Sequence, residues 1–444
     1  MPRLFHHAFD CSQVASQSSA TEKCSRRQMT SPPCSSRSRA SRSGLTLLGV
    51  IVVLIVAGIG VALAVPAINS AREAARRSTC KRHLEQIGLG INNYHNAFDM
   101  LPMHGTGPTN EFNDDCCSKA MQPGKYPHAP SFSRHQLSYL VGLLPFCEQQ
   151  ELWETISNPH VDDRGNYWPA FGPAPYTAEY QPWNTDVSLY RCPSDPNRGA
   201  PTLGRTNYAC CVGDSMWRTD NAGWSYFKGS KWRYGGSNQF RRGQVEASVR
   251  GVFVPRRVMR YRDVLDGLSN TIVAAEIATY AGDDDFRTTG SRYNGRDNVL
   301  KNPKYCADAG QIDPERPKFW RAGDSRPDLT SDITTRGSRW ADFRPIFTQF
   351  NTILPPNSEI CLRGSHAQDG VMSSSSRHPG GTHVLMGDGA VIFITDSIES
   401  GDDRAPVVYR RDNTHQHGVG DRSPYGLWGA LGTRSSKEIV EETT

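Results

Sequence analysis

Residues 44–71 have the sequence GLTLLGVIVVLIVAGIGVALAVPAINSA, in which no side chain carries a charge. A helix rises about 1.5 Å per residue, so residues 45–71 are long enough to cross a hydrocarbon core of about 30 Å. A conventional signal peptide has an apolar region of only about 7–15 residues, which is much shorter. The stretch therefore predicts a helix that spans or anchors in a membrane.

The first 44 residues form a different kind of sequence, rich in serine and arginine and poor in apolar side chains. Such a composition buries too little surface to offset the entropy lost on ordering, which predicts a disordered leader. The leader holds seven basic and two acidic residues, which accounts for the whole formal charge of +5. Because the rest of the chain is neutral, we expect no nucleic-acid partner.

An amphipathic helix is predicted after the apolar stretch. Apolar residues recur there at spacings of four and three, which places them on one helical face: Cys80, Leu84, Ile87, Ile91, Tyr94 and Phe98. Glu73 and Arg77 stand at i, i+4 on the exposed side. We therefore expect one helix over residues 45–100, with a transmembrane half (45–71) and an extracytoplasmic amphipathic half (72–100). A coiled-coil or bundle helix would show the same stripe.

The junction Arg42-Ser43-Gly44-Leu45-Thr46-Leu47-Leu48 resembles the cleavage and methylation site of type IV prepilins and pseudopilins. The resemblance implies that a prepilin peptidase cuts between Gly44 and Leu45, that Leu45 is then methylated, and that the leader is cytoplasmic. Gly49 stands where this family almost always has glutamate. That departure implies a minor or tip-located subunit, or a relative that is anchored without polymerising.

Motifs beyond the helix are similar to a large bacterial family that joins a prepilin-type N-terminus to a domain of unknown function. They occupy residues 74–81, 86–88, 93–95, 143–146, 148–152, 191–196, 206–208 and 263–271. The last is a C-terminal signature in which nine residues separate His378 from Asp388-Gly389. The family is loosely labelled as solute-binding, and the resemblance implies an extracytoplasmic head over residues 101–432 and a flexible tail over 433–444.

Two of these motifs predict turns beside strands. Apolar runs at 382–386 and 390–395 surround Gly387-Asp388-Gly389, which predicts a β-hairpin. The alternative makes His378, His383 and Asp388 a metal or acid–base site, but aspartate in such a turn commonly bonds its own backbone. We therefore interpret the signature as structural.

The second turn motif contains Asp266, Gly267, Ser269, Asn270 and Thr271, and it leads into an apolar strand at 272–275. The alternative interpretation is a calcium site, because these oxygen-bearing side chains, with Asp263 and Glu276, are hard ligands. Their spacing is not that of an EF-hand, which favours a structural turn.

The twelve cysteines are not arranged as paired C-x-x-C zinc ligands, so the sequence predicts no metal centre and no cofactor. In an exported head, a disulfide is expected between Cys192 and either Cys210 or Cys211. The sequence has no nucleophile elbow, phosphate loop, H-E-x-x-H or dinucleotide fingerprint, and we predict that the protein is not an enzyme. The aromatic stretch 217–232 is either a sugar-stacking surface or the edge of a core.

The predicted fold class is α+β: a long N-terminal membrane-spanning helix packed on a mainly antiparallel β head with long loops. Acidic, glycine-rich residues 282–285 are expected in an exposed loop. The leading functional prediction is a pilin-like or pseudopilin-like component of a type II secretion or type IV pilus-like assembly. Its partners would be the lipid bilayer, the prepilin peptidase and other pilin-like subunits, with a single pass through the inner membrane. The alternatives are a signal-anchored solute- or glycan-binding protein and a metal-dependent enzyme.

Overall fold

The computed structural model of the protein describes residues 46–108, 132–196, 202–221, 243–409 and 420–436. The described chain divides into two units, with the boundary between residues 64 and 65. The processing residues Gly44 and Leu45, with the rest of the leader, lie outside the described residues, as do residues 222–232 of the aromatic stretch.

Helix α1 (Leu47–Phe98) begins in the first unit and ends in the second. At its start the Thr46 hydroxyl accepts a hydrogen bond from Gly49 N (3.3 Å), as in an N-terminal helix cap. The apolar side chains of residues 47–64 are exposed, and no charged residue interrupts them. Within the part of the chain that the structure describes, α1 is the one helix long and apolar enough to cross a membrane.

One face of the second half of α1 is buried in the head, as the apolar stripe predicts. Its buried residues are Cys80, Leu84, Ile87, Gly88, Gly90 and Ile91. The prediction is wrong at Phe98, which is 54% exposed because α1 ends there. A Cβ atom on Gly88 would lie only 2.8 Å from Leu385 Cδ1, so this glycine allows α1 to approach the sheet closely.

The head is built around a five-stranded sheet of order β5-β3-β4-β8-β9. Its strands are β3 (Tyr208–Cys211), β4 (Ile272–Glu276), β5 (Gln349–Phe350), β8 (Gly381–Met386) and β9 (Val391–Thr395). All neighbouring pairs are antiparallel except β3 and β5. Two small antiparallel pairs join β1 (His160–Val161) to β2 (Tyr167–Trp168) and β6 (Cys361–Leu362) to β7 (Gly370–Val371).

Short helices and long connections surround the sheet. The helices are α2 (Tyr139–Leu143), α3 (Gln150–Ser157), α4 (Gln181–Asn184), α5 (Arg296–Lys301), α6 (Tyr305–Asp308), α7 (Pro345–Thr348) and α8 (Gly426–Gly432). Together with α1 and the mainly antiparallel sheet, they confirm the α+β prediction. The predicted hairpin is also confirmed as β8 and β9, and the apolar strand at 272–275 forms β4.

Both faces of the sheet are covered, which follows from the alternation of side chains along each strand. Tyr208, Cys210 and Leu385 share one hydrophobic cluster with Leu84 and other residues of α1. On the opposite face, Cys211 and Val384 pack with Trp428 of α8. The sheet therefore lies between α1 and α8.

Two predictions of exposed or flexible segments hold only in part: Gly282 of the acidic loop is exposed, and residues 437–444 of the predicted tail lie outside the described residues. Thr433 is buried, and Arg434 Nη1 donates to Val249 O (2.6 Å) and Gly251 O (2.7 Å), so the chain is held at the start of the predicted tail. In the acidic loop, Asp285 is buried because it accepts ion-paired hydrogen bonds from Arg287 and Arg377. Local composition does not reveal distant partners such as Arg377 for Asp285, or the carbonyls of Val249 and Gly251 for Arg434.

Candidate functional site

A disulfide between Cys80 and Cys192 joins the buried face of α1 to the turn 191–196. The predicted pairing of Cys192 with Cys210 or Cys211 is therefore wrong. Cys210 and Cys211 are free, buried thiols on opposite faces of β3, where each packs in a different hydrophobic cluster. A second disulfide joins Cys306 to Cys361.

Hydrogen bonds fix the turn 191–196 independently of the disulfide. The buried carboxylate of Asp195 accepts from Asn207 Nδ2 (2.8 Å), Thr279 N (2.7 Å) and Thr279 Oγ1 (2.7 Å). Cys192 N donates to Asn207 Oδ1 (3.0 Å). On the other side, Tyr208 Oη donates to Cys80 O (3.1 Å). The backbone positions of both half-cystines are thus set by neighbouring polar groups.

His378 lies beside this disulfide with its side chain fully buried. Its Nδ1 is 2.6 Å from Glu73 Oε1, a carboxylate of α1 that also accepts from the Ser194 hydroxyl (3.2 Å). Its Nε2 is 3.5 Å from Cys192 Sγ and 3.7 Å from Glu276 Oε1. The imidazole therefore lies between two carboxylates and touches the disulfide.

Glu276 ends β4 and is buried, yet its carboxylate is fully engaged. Oε2 accepts from His383 N (2.9 Å), and Oε1 lies 3.1 Å from His383 Nδ1. Carboxylates and imidazoles alternate in the order Glu73, His378, Glu276, His383. Buried charges need such partners, because an unpaired ion in an apolar interior is costly. We call Glu73, Cys80, Cys192, Glu276, His378 and His383 the His378 cluster.

The His378 cluster has the donor atoms of a metal site. One ligand atom from each of Cys80, Cys192, Glu276 and His378 lies within 4.8 Å of the others. Among the residues that the structure describes, this is the one group of three or more such side chains close enough to share an ion. All four residues are buried, so the cluster does not face a bulky substrate.

The predicted C-terminal signature does not form one site. Asp388 lies in the turn between β8 and β9, is exposed, and accepts a hydrogen bond from Ala390 N (2.9 Å) through Oδ1. His378 precedes β8, at the other end of that strand. Gly389 has a φ of +93°, a backbone conformation that favours glycine in the turn. Asp388 and Gly389 therefore form the hairpin, while His378 belongs to the cluster.

Most oxygen-bearing residues of the turn motif have protein partners. Asp263 Oδ2 accepts from Arg260 N (2.9 Å), and Asp266 Oδ2 accepts from Ser436 N (2.7 Å). The Thr271 hydroxyl donates to Gly267 O (3.0 Å), and the Asn270 amide donates to Asp266 O (3.2 Å). Ser269 is exposed, and Glu276 faces His383. These contacts favour the turn interpretation over the calcium interpretation.

A surface cleft of about 270 Å³ lies between the second half of α1 and the residues before α3. Leu89 and Phe146 supply apolar walls, and the polar lining consists of His83, Gln86, Glu148, Gln149 and Ser188. Burial lowers the pKa of His83, although its hydrogen bond with Arg191 O (3.0 Å) opposes the shift. Burial raises the pKa of the Cys147 thiol at the base of the cleft to about 12, so it stays protonated.

Two residues of the cluster do not have the roles that sequence reasoning gave them. Glu73 forms an ion pair with Arg76 (3.8 Å) and contacts His378, whereas Arg77 lies over the Phe393 ring at 3.5 Å. The sequence places Cys80 on the apolar helix stripe, and the structure joins it to Cys192 in a disulfide. No local signal links either residue to a histidine about 300 residues later in the chain.

Trp217 is the described tryptophan of the aromatic stretch 217–232, and its ring stacks on Tyr409 in the core.

Residues 69–401, well over half of the chain, match a family model with the description "Protein of unknown function (DUF1559)". The match covers the second half of α1, the five-stranded sheet and the whole His378 cluster. No curated protein and no solved structure matches the chain. The chain therefore belongs to the DUF1559 family.

Proposed function

We propose that the protein is a pilin-like or pseudopilin-like, membrane-anchored structural component of a type II secretion or type IV pilus-like assembly, and not an enzyme. The observation that carries the proposal is the construction of α1. Its first half is uncharged and exposed, whereas one face of its second half is buried in the head. A helix of this kind serves as a membrane anchor and as the core of a globular domain.

The attachment of α1 to the head supports a mechanical role. The Cys80–Cys192 disulfide ties the helix covalently to the turn before β3, and the partly buried contact between Glu73 and His378 adds a charge-assisted hydrogen bond. Gly88 brings the helix close to β8. Force on the helix would therefore be transmitted to the sheet, as a subunit of an assembly requires.

The charges along α1 argue for a minor or tip position in such an assembly. The first turn of the helix has no acidic residue, and the first acid along α1 is Glu73, which contacts His378. A buried N-terminal amine in lipid needs a nearby carboxylate. A subunit without one is poorly suited to the interior of a long helical polymer.

The proposed topology places the leader in the cytoplasm and the head outside it. The two disulfides of the head suit an oxidising compartment, because cytoplasmic thiols are kept reduced. The proposed partners are the bilayer, the prepilin peptidase and other pilin-like subunits.

Processing at Gly44 tests this proposal. Mass spectrometry of the membrane-extracted protein should find a mature chain that begins at N-methylated Leu45. The variant Gly44→Leu should remain uncleaved, because the peptidase would no longer meet a small residue at the cut. Gly60→Leu is the matched control, since a side chain at Gly60 meets no atom within 4 Å, and it should be processed normally. An unprocessed wild-type chain, or normal cleavage of Gly44→Leu, would reject the pilin mechanism.

The cleft beside α1 favours a second candidate, an anchored solute- or glycan-binding protein. Its volume is near the lower end of the range of small-ligand sites, roughly 300–1,000 Å³. The Phe146 ring and the amide, carboxylate and hydroxyl groups of Gln86, Glu148 and Ser188 suit a sugar, which offers apolar faces and many hydroxyls.

Saturation-transfer NMR with glucose and N-acetylglucosamine tests this second candidate. A sugar that binds in the cleft should lose up to about tenfold in affinity in Gln149→Ala, because one hydrogen bond contributes about 0.5–1.5 kcal/mol. Gln150→Ala is the control, since Gln150 is exposed, does not line the cleft and bonds Glu154 (2.9 Å). Absence of transfer, or equal losses in both variants, would count against sugar binding there.

A further inference from the structure

We propose that reduction of the Cys80–Cys192 disulfide converts the His378 cluster into a tetrahedral zinc site whose ligands are Cys80 Sγ, Cys192 Sγ, His378 Nε2 and Glu276 Oε1. This inference does not depend on the pilin-like function. It rests on the convergence of the four ligand atoms, on the orientation of His378, and on the polar groups that hold the ligands in place.

The donor atoms already lie close to the spacing that a tetrahedral zinc ion requires. Zinc binds thiolate sulfur at about 2.3 Å, imidazole nitrogen at about 2.0–2.1 Å and carboxylate oxygen at about 2.0–2.2 Å, so neighbouring ligand atoms lie roughly 3.3–3.8 Å apart. His378 Nε2 already lies 3.5 Å from Cys192 Sγ and 3.7 Å from Glu276 Oε1. All four atoms lie within 4.8 Å of one another. Once the S–S bond is broken, shifts of about 1 Å bring them to tetrahedral spacing.

The second step is the orientation of the imidazole. A carboxylate can only accept a hydrogen bond, so the 2.6 Å contact with Glu73 places a proton on His378 Nδ1. In the neutral ring, the Nε2 lone pair then points towards a sulfur and a carboxylate oxygen. Metal-binding histidines characteristically donate their other N–H to a carboxylate, which fixes the tautomer. Glu73 is therefore a positioning residue, already bonded as a zinc site requires.

The third step is the support of the other ligands. Glu276 keeps its hydrogen bonds from His383, and the backbones of Cys80 and Cys192 are held by Tyr208 and Asn207. None of these contacts involves the S–S bond, so the donors stay close together after reduction. Two thiolates, an imidazole and a carboxylate are donors that suit zinc.

The chemistry balances in two stages. A dithiol reductant gives two electrons and two protons to the S–S bond, which breaks to two thiols, and the reductant becomes a disulfide. Binding of Zn²⁺ then releases the two thiol protons to solvent, because the thiolates are the ligands. In the reverse direction, a disulfide oxidant takes two electrons from the thiolates and is itself reduced to two thiolates, while the S–S bond re-forms and zinc is released.

The test uses the full chain in detergent, reduced by a phosphine because a dithiol would itself bind zinc. After incubation with Zn²⁺ and gel filtration, the reduced protein should hold one zinc per chain by elemental analysis, and the oxidised protein none. Substitution by Co²⁺ should give thiolate-to-cobalt absorption in the reduced protein only. A reduced chain that holds no zinc would overturn the proposal.

Variants distinguish this site from adventitious binding. His378→Ala and the double variant Cys80→Ser/Cys192→Ser should lose stoichiometric zinc, and Glu73→Gln should bind it about 10–100-fold more weakly. The matched control Cys306→Ser/Cys361→Ser removes the other disulfide and should keep one zinc. Loss of zinc in that control, or its retention in Cys80→Ser/Cys192→Ser, would contradict the assignment.

A second measurement distinguishes loss of the zinc site from unfolding of the reduced chain. Zinc that binds only the folded state should raise the unfolding midpoint of the reduced protein, and the rise should be absent in His378→Ala. His366→Ala is the control for histidine loss, because His366 packs on the Phe347 ring and is not among the residues whose ligand atoms converge in the cluster. Equal midpoints with and without zinc would reject the site.

Discussion

Replacement of both Cys80 and Cys192 by serine is expected to destabilise the oxidised head by about 4–5 kcal/mol. The disulfide closes a sequence separation of 112 residues, and the chain-entropy model gives about 4.7 kcal/mol for a loop of roughly 100 residues. Denaturant unfolding followed by tryptophan fluorescence, with a chelator present to remove metals, measures the loss. A double variant that unfolds at the wild-type midpoint would show that the disulfide does not stabilise the folded head.

The second disulfide provides the control for that experiment. Cys306 and Cys361 are separated by 55 residues, so Cys306→Ser/Cys361→Ser should also destabilise the head by roughly 4 kcal/mol in the same model. Amide hydrogen exchange distinguishes the local effects of the two double variants. Only the Cys80–Cys192 variant should accelerate exchange in the second half of α1, because only that disulfide holds the helix. Equal acceleration in both variants would mean that the loss is not local to α1.

The parts of the fold that are predictable from sequence are those whose determinants are local. The β8–β9 hairpin follows from two apolar runs around Gly387-Asp388-Gly389, since turn residues and alternation act within a few positions. The buried face of α1 follows from the helical period of Cys80, Leu84, Ile87 and Ile91. The prediction fails at Phe98 because the helical period of the apolar residues does not show where the head stops covering α1.

The His378 cluster was not predictable because its members meet only through the tertiary fold. Glu73 and His378 are 305 positions apart, and Glu276 ends β4, the strand that pairs with β8 in the sheet. An i, i+4 rule pairs Glu73 with Arg77, but in the fold Arg77 lies over the Phe393 ring and Glu73 contacts the buried imidazole of His378. The disulfide was mispaired for the same reason, since spacing alone does not reveal which cysteines become neighbours.

Composition does not predict exposure correctly where a polar residue has a distant partner, as Asp285 has in Arg377. Asp285 lies in a segment whose composition predicts an exposed loop, yet it is buried between Arg287 and Arg377. An unpaired carboxylate is more stable in water than in the protein interior. Two guanidinium groups beside Asp285 compensate for the lost hydration, so the carboxylate can be buried. A similar arrangement, in which arginine meets a buried carboxylate, recurs at Asp214.

The variant Asp214→Asn is expected to lower the stability of the head by about 3–5 kcal/mol. Asp214 is fully buried and forms a two-point ion pair with Arg250, whose Nε lies 2.9 Å from Asp214 Oδ1. The same guanidinium donates from Nη1 to Asp421 O (2.6 Å), which holds the segment before α8. The change removes the negative charge that Asp214 places beside a buried guanidinium, which costs more than the loss of a neutral hydrogen bond. Denaturant unfolding and exchange at α8 measure both consequences.

The double variant Asp214→Leu/Arg250→Met separates the cost of an unpaired charge from the contribution of the ion pair. Because removal of both charges leaves no ion unpaired, we expect it to be much less destabilising than Asp214→Asn alone. Asp328→Asn is the surface control: its carboxylate is half exposed and pairs with Arg292, so little change is expected. Equal effects of Asp214→Asn and Asp328→Asn would show that the buried Asp214–Arg250 pair stabilises the head no more than a surface ion pair does. The attachment of α8 would then depend on the packing of Trp428 and its apolar neighbours.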